Sequence, residues 1–160
     1  MMIGLIELLL LQTEVVRVVS VSDGDTVRIV RQNKSQATVR ISGIDAPEKN
    51  QPYGLKSKAF ASRILLGKVF TFRSSGKDKY GRLLGDFSNQ DFIFSQKMVE
   101  TGNAWWYRKY AANDKQLERC ENSARKGRQG LWGESSPIAP WDWRHGGAAK
   151  FNLALAKRKK

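Results

Sequence analysis

From Glu14 onward, apolar and polar residues alternate in the way strands require. Val15, Val16, Val18, Val19 and Val21 make a β-branched run up to an Asp23-Gly24 turn, and Val27-Arg28-Ile29-Val30 resumes beyond it. Asn33-Lys34-Ser35 is a second turn. Ala37-Thr38-Val39-Arg40-Ile41-Ser42-Gly43-Ile44 then reads as a third strand, ending at the corner Asp45-Ala46-Pro47-Glu48. Three strands with short connections begin an antiparallel meander. Between Tyr53 and Leu66 the period lengthens: Leu55, Ala59, Phe60, Ala61, Ile64 and Leu65 predict a helix closed by Gly67. Val69-Phe70-Thr71-Phe72 is a fourth strand, and Arg82 to Phe87 a fifth, followed by an Asn89-Gln90-Asp91 turn. Ser95 is placed to cap a short helix through Met98 and Val99 to Thr101, closed by Gly102. Asp114 is placed to cap a third, through Leu117, Cys120 and Ala124 to Lys126. The expected fold is therefore mainly β with helices (α+β), a five-stranded OB-type barrel with about three α-helices.

Composition changes beyond Trp132, where Ser135-Ser136-Pro137, Pro140 and Trp141-Asp142-Trp143-Arg144 lead into Gly146-Gly147 and a basic tail ending Arg158-Lys159-Lys160. The organisation read from this is an apolar extension or remnant leader over 1–13, one domain over 14–133, and an aromatic and basic extension over 134–160. That extension reads as extended, and its last residues as a solvated, disordered tail. Met1 to Leu11 looks like the apolar part of a secretion signal. No Lys or Arg precedes it, Glu7 interrupts it, no small-residue cleavage site follows, and it is too short to span a bilayer. A degenerate leader, with export to the periplasm or beyond, is the favoured reading. A packed apolar extension on a cytoplasmic protein is the alternative. No stable membrane span is expected, and a monomer is.

At 160 residues and 41% hydrophobic content, the chain has enough apolar material for one core without covalent staples. Its 28 Lys and Arg against 15 Asp and Glu leave a net charge of +13, which makes a polyanion the expected partner. Cys120 is the only cysteine, so no intrachain disulfide exists, and it reads as a small core residue. One Cys and one His (His145) cannot build a zinc site, and a lone imidazole excludes mechanisms needing two. Any catalysis rests on carboxylates, arginines and metal.

Three polar segments concentrate those groups. Asp23-Gly24-Asp25-Thr26 is on its own an ordinary hairpin, with Gly24 supplying a positive φ. The second acid, Asp25, changes the picture, because two carboxylates flanking a glycine at a barrel rim suit calcium, which favours oxygen ligands. In Asp45-Ala46-Pro47-Glu48, Pro47 holds the two acids in a defined relation. Asp45 could join Asp25 on a metal, the Ala46 carbonyl could add an oxygen, and Glu48 could hold and deprotonate a water. The plain alternative is a Pro corner with exposed acids. Arg40 is a solvated strand residue unless strand twist brings it to the same rim. Asp78-Lys79-Tyr80-Gly81-Arg82 is either a basic turn or a phosphate grip, in which Arg82 forks onto two oxygens, Lys79 adds a point charge and Tyr80 meets a nucleotide. Of the aromatics after Gly102, the Trp105-Trp106 pair is expected to close the core, while Tyr107, Arg108 and Tyr110 offer a nucleotide-facing edge.

Taken together, Asp23-Gly24-Asp25-Thr26, Arg40 through Glu48, Tyr53-Gly54 leading to Ala59, Asp78 through Arg82, and Gly127 through Gly130-Leu131-Trp132 resemble the thermonuclease family, the staphylococcal nuclease-like OB-fold domains. The resemblance covers Val15 to Trp132, and Pro140-Trp141-Asp142-Trp143-Arg144 looks like the C-terminal extension of the bacterial branch. It implies calcium held by Asp25, Asp45 and the Ala46 carbonyl, with Asp23 near the metal. It implies Arg40 and Arg82 on the scissile phosphate, Glu48 as the base, and Lys79 and Tyr80 on the substrate. It also implies cleavage of both DNA and RNA to 3′-phosphate ends. This chain departs from the family pattern at Ala46, where some members carry Thr; in a short Glu48–Tyr53 loop; and at Asn103, where an apolar residue is usual. The expected function is a calcium-dependent endonuclease with little sequence or sugar specificity. The alternative is a non-catalytic nucleic-acid-binding OB-fold module, which gains nothing from acids facing a phosphate.

Overall fold

The computed structural model describes residues 13–158, and all of the apolar leader segment except Thr13 lies outside them. Strands β1 (Thr13–Asp23), β2 (Thr26–Val30) and β3 (Gln36–Ile41) form the antiparallel meander. Next come β4 (Ile44–Asp45), helix α1 (Gly54–Leu65), β5 (Val69–Lys77) and β6 (Leu83–Ser88). Strand β5 pairs antiparallel with both β1 and β6, and β6 runs parallel to β3, closing a barrel in the order β1-β2-β3-β6-β5. This is the expected five-stranded OB-type α+β architecture.

Alternation fills the barrel. Val16, Val18, Val27, Ile29, Val39, Ile41, Phe70, Phe72 and Phe87 are all buried, with Phe72 and Phe87 in contact at 5.2 Å between ring centres. The valine run of β1 does not bury as a block. A register shift between Val18 and Ser20 breaks the alternation, and Val15 and Val19 stay exposed.

Beyond the barrel, α2 (Phe94–Glu100) packs against α4 (Lys115–Lys126). Between them lie β7 (Trp105–Trp106) and the single turn α3 (Arg108–Ala111). Asp114 caps α4 as expected, its Oδ1 accepting from the Gln116 and Leu117 amides. Both Trp105 and Trp106 are buried, as is Cys120. A second apolar cluster joins Trp105, Ala124, Leu131, Trp132 and Ala139, with Trp141 against it.

Several expectations change. The third strand stops at Ile41, because Gly43 turns at φ 75° and Ile44–Asp45 leave the barrel to pair with Trp105–Trp106. Gly24 does not take a positive φ. It is required for space, since a Cβ there would lie 2.1 Å from Ser57 Oγ and 2.7 Å from Ala46 Cβ. Ser95 does not cap α2, which starts at Phe94; the Ser95 amide donates instead to Asp86 Oδ1 of β6 at 3.1 Å. The extension is not extended throughout: it forms a short turn α5 (Pro140–Asp142), a kinked turn over Trp143–Gly147 and helix α6 (Ala148–Arg158). Among the described residues no helix is long and apolar enough to cross a membrane.

Candidate active site

The β1–β2 hairpin, the end of β3 and the β4 corner meet at one rim of the barrel. Asp23 pairs with Thr26 across the hairpin, so Gly24 and Asp25 form its tip, and Gly24's missing Cβ lets the tip close onto Ala46. Asp25 is buried, and its Oδ2 accepts from the Ala46 amide at 2.6 Å while its Oδ1 accepts from Thr26 Oγ1. Asp45, 1% exposed, lies beside it. The corner is also held from behind. Gly54 lies so close to the Glu48 carbonyl that a Cβ would sit 1.8 Å from that oxygen, and Gln51 Oε1 accepts from the Glu48 amide.

Arg40 is brought to this rim, so its solvated reading does not stand. Its Nη1 donates to the Ile41 and Ile44 carbonyls at 2.6 and 2.9 Å, and its Nη2 sits 3.1 Å from Asp45 Oδ1 and 3.2 Å from Asp25 Oδ2. It is a pinned positive charge between two buried acids. Burial pushes the carboxyls up: Asp45 is raised mainly by desolvation, against the pull of Arg144 and Arg40. Asp23 is raised to about 7 by desolvation and by the Asp25 charge. These acids are under electrostatic stress that a cation would relieve.

Arg82 stands one residue before β6. It leads into that strand two residues ahead of Leu84, which pairs with Arg40 of β3. Asp78 positions it, accepting from Arg82 Nε at 2.7 Å and from the Tyr80 and Arg82 amides. Desolvation opposes ionisation there, yet the Arg82 guanidinium and those amides hold the Asp78 carboxyl below its usual range. The terminal nitrogens of Arg82 are left available for an anion. Lys79 and Arg82 both sit over the Tyr80 ring, at 5.1 and 5.6 Å, and that ring is largely exposed.

The aromatic edge divides. Tyr110 is 72% exposed, whereas one face of Tyr107 is covered by Trp141, stacked at 5.2 Å and 5°. Tyr107 is thus partly committed to holding the extension, and Tyr110 is the freer ring. The extension also supplies a residue that sequence reasoning missed. Arg144 reaches the acid rim, its Nη2 2.7 Å from Asp45 Oδ2 and its Nη1 2.6 Å from Glu48 Oε1. The only sequence signal was its place in the Trp141-Asp142-Trp143-Arg144 motif, 99 positions from Asp45.

The donor set fits a hard divalent cation. Two buried carboxylates from separate elements, Asp25 and Asp45, stand beside the Ala46 backbone, with Glu48 and Asp23 at the margin, and oxygen donors of this kind suit calcium or magnesium. Among the described residues no three acids converge on a single point, so such an ion would complete its shell with the backbone carbonyl and water.

The sequence model of the family described as Staphylococcal nuclease homologue matches residues 38–134. A protein of Escherichia coli named as an uncharacterized endonuclease is 40% identical over 130 residues, 81% of this chain and 84% of its own. One of the same name from Haemophilus influenzae is 38% identical over 139 residues, 87% of this chain and 76% of its own. A staphylococcal-like nuclease of Arabidopsis thaliana, CAN1, is 39% identical over 109 residues, 66% of this chain but 32% of its own. An OB-type barrel with acids and arginines at one rim, a family match over 38–134 and relatives aligned over more than four-fifths of the chain carry one conclusion: this chain belongs to the staphylococcal nuclease family.

Proposed function

We propose that this nuclease is a calcium-dependent endonuclease, working as a monomer, that hydrolyses phosphodiester bonds of DNA and RNA with little base or sugar preference and leaves 3′-phosphate ends. One observation carries the reading: Asp25 and Asp45, buried and from separate elements, meet beside Arg40 with Glu48 at the rim. A pure binding surface has no use for carboxylates where a phosphate must approach, since they repel it.

The chemistry follows from charge. A phosphodiester is already anionic, and its pentavalent transition state carries more negative charge. Asp25, Asp45 and the Ala46 carbonyl would hold the calcium ion, which would supply Lewis-acid polarisation of a phosphoryl oxygen. Arg82 forks its terminal nitrogens onto non-bridging oxygens, and Arg40 adds a buried positive charge at close range. One well-placed donor of this kind is worth about 3 kcal/mol in the transition state. Glu48 takes a proton from the attacking water as its oxygen bonds to phosphorus. The P–O5′ bond breaks, O5′ leaves with the bonding pair and takes up a proton, and a 3′-phosphate and a 5′-hydroxyl result. Lys79, Tyr80 and Tyr110 hold the flanking nucleotides, with Tyr107 behind Tyr110.

The test is direct. Supercoiled plasmid, denatured DNA and RNA are each incubated with the purified chain, in calcium and in chelator, and products are probed for 3′-phosphate by their resistance to polymerase extension until phosphatase is added. Cleavage of all three in calcium alone supports the reading. Tight binding without cleavage in either condition overturns it in favour of the binding module.

A further inference from the structure

The acid rim already meets a cation of the chain's own. Arg144 Nη2 lies 2.7 Å from Asp45 Oδ2, and Nη1 lies 3.3 Å from Asp45 Oδ1 and 2.6 Å from Glu48 Oε1. One guanidinium thus engages both oxygens of the buried aspartate and the carboxylate at the rim, a forked contact that is strong and geometrically exacting.

This arginine is delivered by an anchored segment. Trp143 next to it is buried and donates its Nε1–H to Asn50 Oδ1, and Gln51 Nε2 donates to the Ile138 carbonyl at 2.6 Å. The same Gln51 accepts from the Glu48 amide, so the extension and the acid corner share one clamp. Trp141 stacks on Tyr107 on the far side. The Arg144 side chain is itself 38% exposed, so this contact is the outermost of those holding the extension to the acid corner.

A divalent cation on Asp45 would face this guanidinium across a single buried carboxylate. Like charges at that range repel one another. Resting on the calcium reading above, we propose that Arg144 is the resident counter-charge of the cation site: it competes with calcium for Asp45 and Glu48, and calcium entry and Arg144 engagement exclude one another. The extension thereby acts as a cation-released latch on the acid rim, and by reciprocity calcium loosens the latch as much as the latch weakens calcium.

Calcium titration calorimetry on the full chain tests this, comparing the unaltered protein with Arg144→Ala and Arg144→Lys, each shown to be folded by thermal melting. Arg144→Ala is expected to bind calcium about tenfold more tightly, with Arg144→Lys between the two. In the unaltered protein, adding calcium is expected to speed amide hydrogen exchange across 139–147. Equal or weaker calcium affinity in Arg144→Ala overturns the latch, as does exchange that calcium leaves unchanged. Calcium that binds none of the three overturns the latch and the calcium reading together, whereas equal binding by all three overturns the latch alone.

Discussion

Glu121 shows how much one side chain can hold. It is wholly buried in α4, and its carboxylate accepts from the Trp106 amide and from Arg108 and Arg125 at 2.8 to 3.1 Å. It therefore ties the helix to β7, and β7 in turn pairs with the strand carrying Asp45. Glu121→Ala leaves the buried Trp106 amide unpaired and is expected to cost about 1–3 kcal/mol, read as a shift in the urea midpoint. Arg125 also lies over the Trp105 and Trp132 rings, so part of that loss is cation–π contact. Glu48 is the opposite kind of residue, one-third exposed at the rim and, in the proposed mechanism, the base. Glu48→Gln is expected to lower turnover by about 10²- to 10⁴-fold while leaving the melting temperature within a few degrees. A fully active Glu48→Gln protein removes it as the base.

Among elements, α2 depends on a carboxylate from the sheet beneath it. Asp86 Oδ1 accepts from the Ser95 amide in the first turn of α2 and from the Phe87 amide. Burial lifts Asp86 from 3.8 to about 6, although the bonds from Ser95 and Phe87 pull it down. The folded state thus holds this proton more tightly than the unfolded chain does. The stability that proton contributes is complete below about pH 4 and is lost as pH rises through about 6. Asp86→Asn keeps an acceptor and removes the charge, so it should gain on the unaltered protein by up to about 3 kcal/mol between pH 4 and pH 7. Denaturant melts across that range read it, and a pH-independent difference would place the ionisation elsewhere. At α4 the cap is simpler, and Asp114→Ala should cost about 1 kcal/mol in the same melts.

For the whole molecule, barrel closure and charge matter most. The parallel β3–β6 contact closes the barrel and brings Arg40 of β3 beside the strand that Arg82 leads into. The net charge of +13 draws polyanions from a distance, with an affinity that salt must weaken. Removing Arg158-Lys159-Lys160 deletes up to three phosphate contacts. The slope of log affinity against log salt on duplex DNA, measured by anisotropy in chelator, should therefore fall by at most about 3. An unchanged slope would show that the tail takes no part in binding.

Local signals in the chain decided the barrel strands, the helix from Gly54, the Asp114 cap and the acid and arginine motifs. Period, β-branching and capping are properties of residues a few positions apart, and all of these proved readable. Contacts between distant residues decided the rest. Gly24 is needed for the space that Ser57 and Ala46 leave it, which no turn signal records. The cap of α2 comes from Asp86 on another element, and Asp45 leaves the barrel because Trp105 is there to pair with it. The charge of Arg144 is visible in the sequence, but its seat on Asp45 and Glu48 exists only once the extension has folded back across the rim. A side chain's type is written in the sequence, whereas its electrostatic partner is set by whatever the fold brings within about 3 Å.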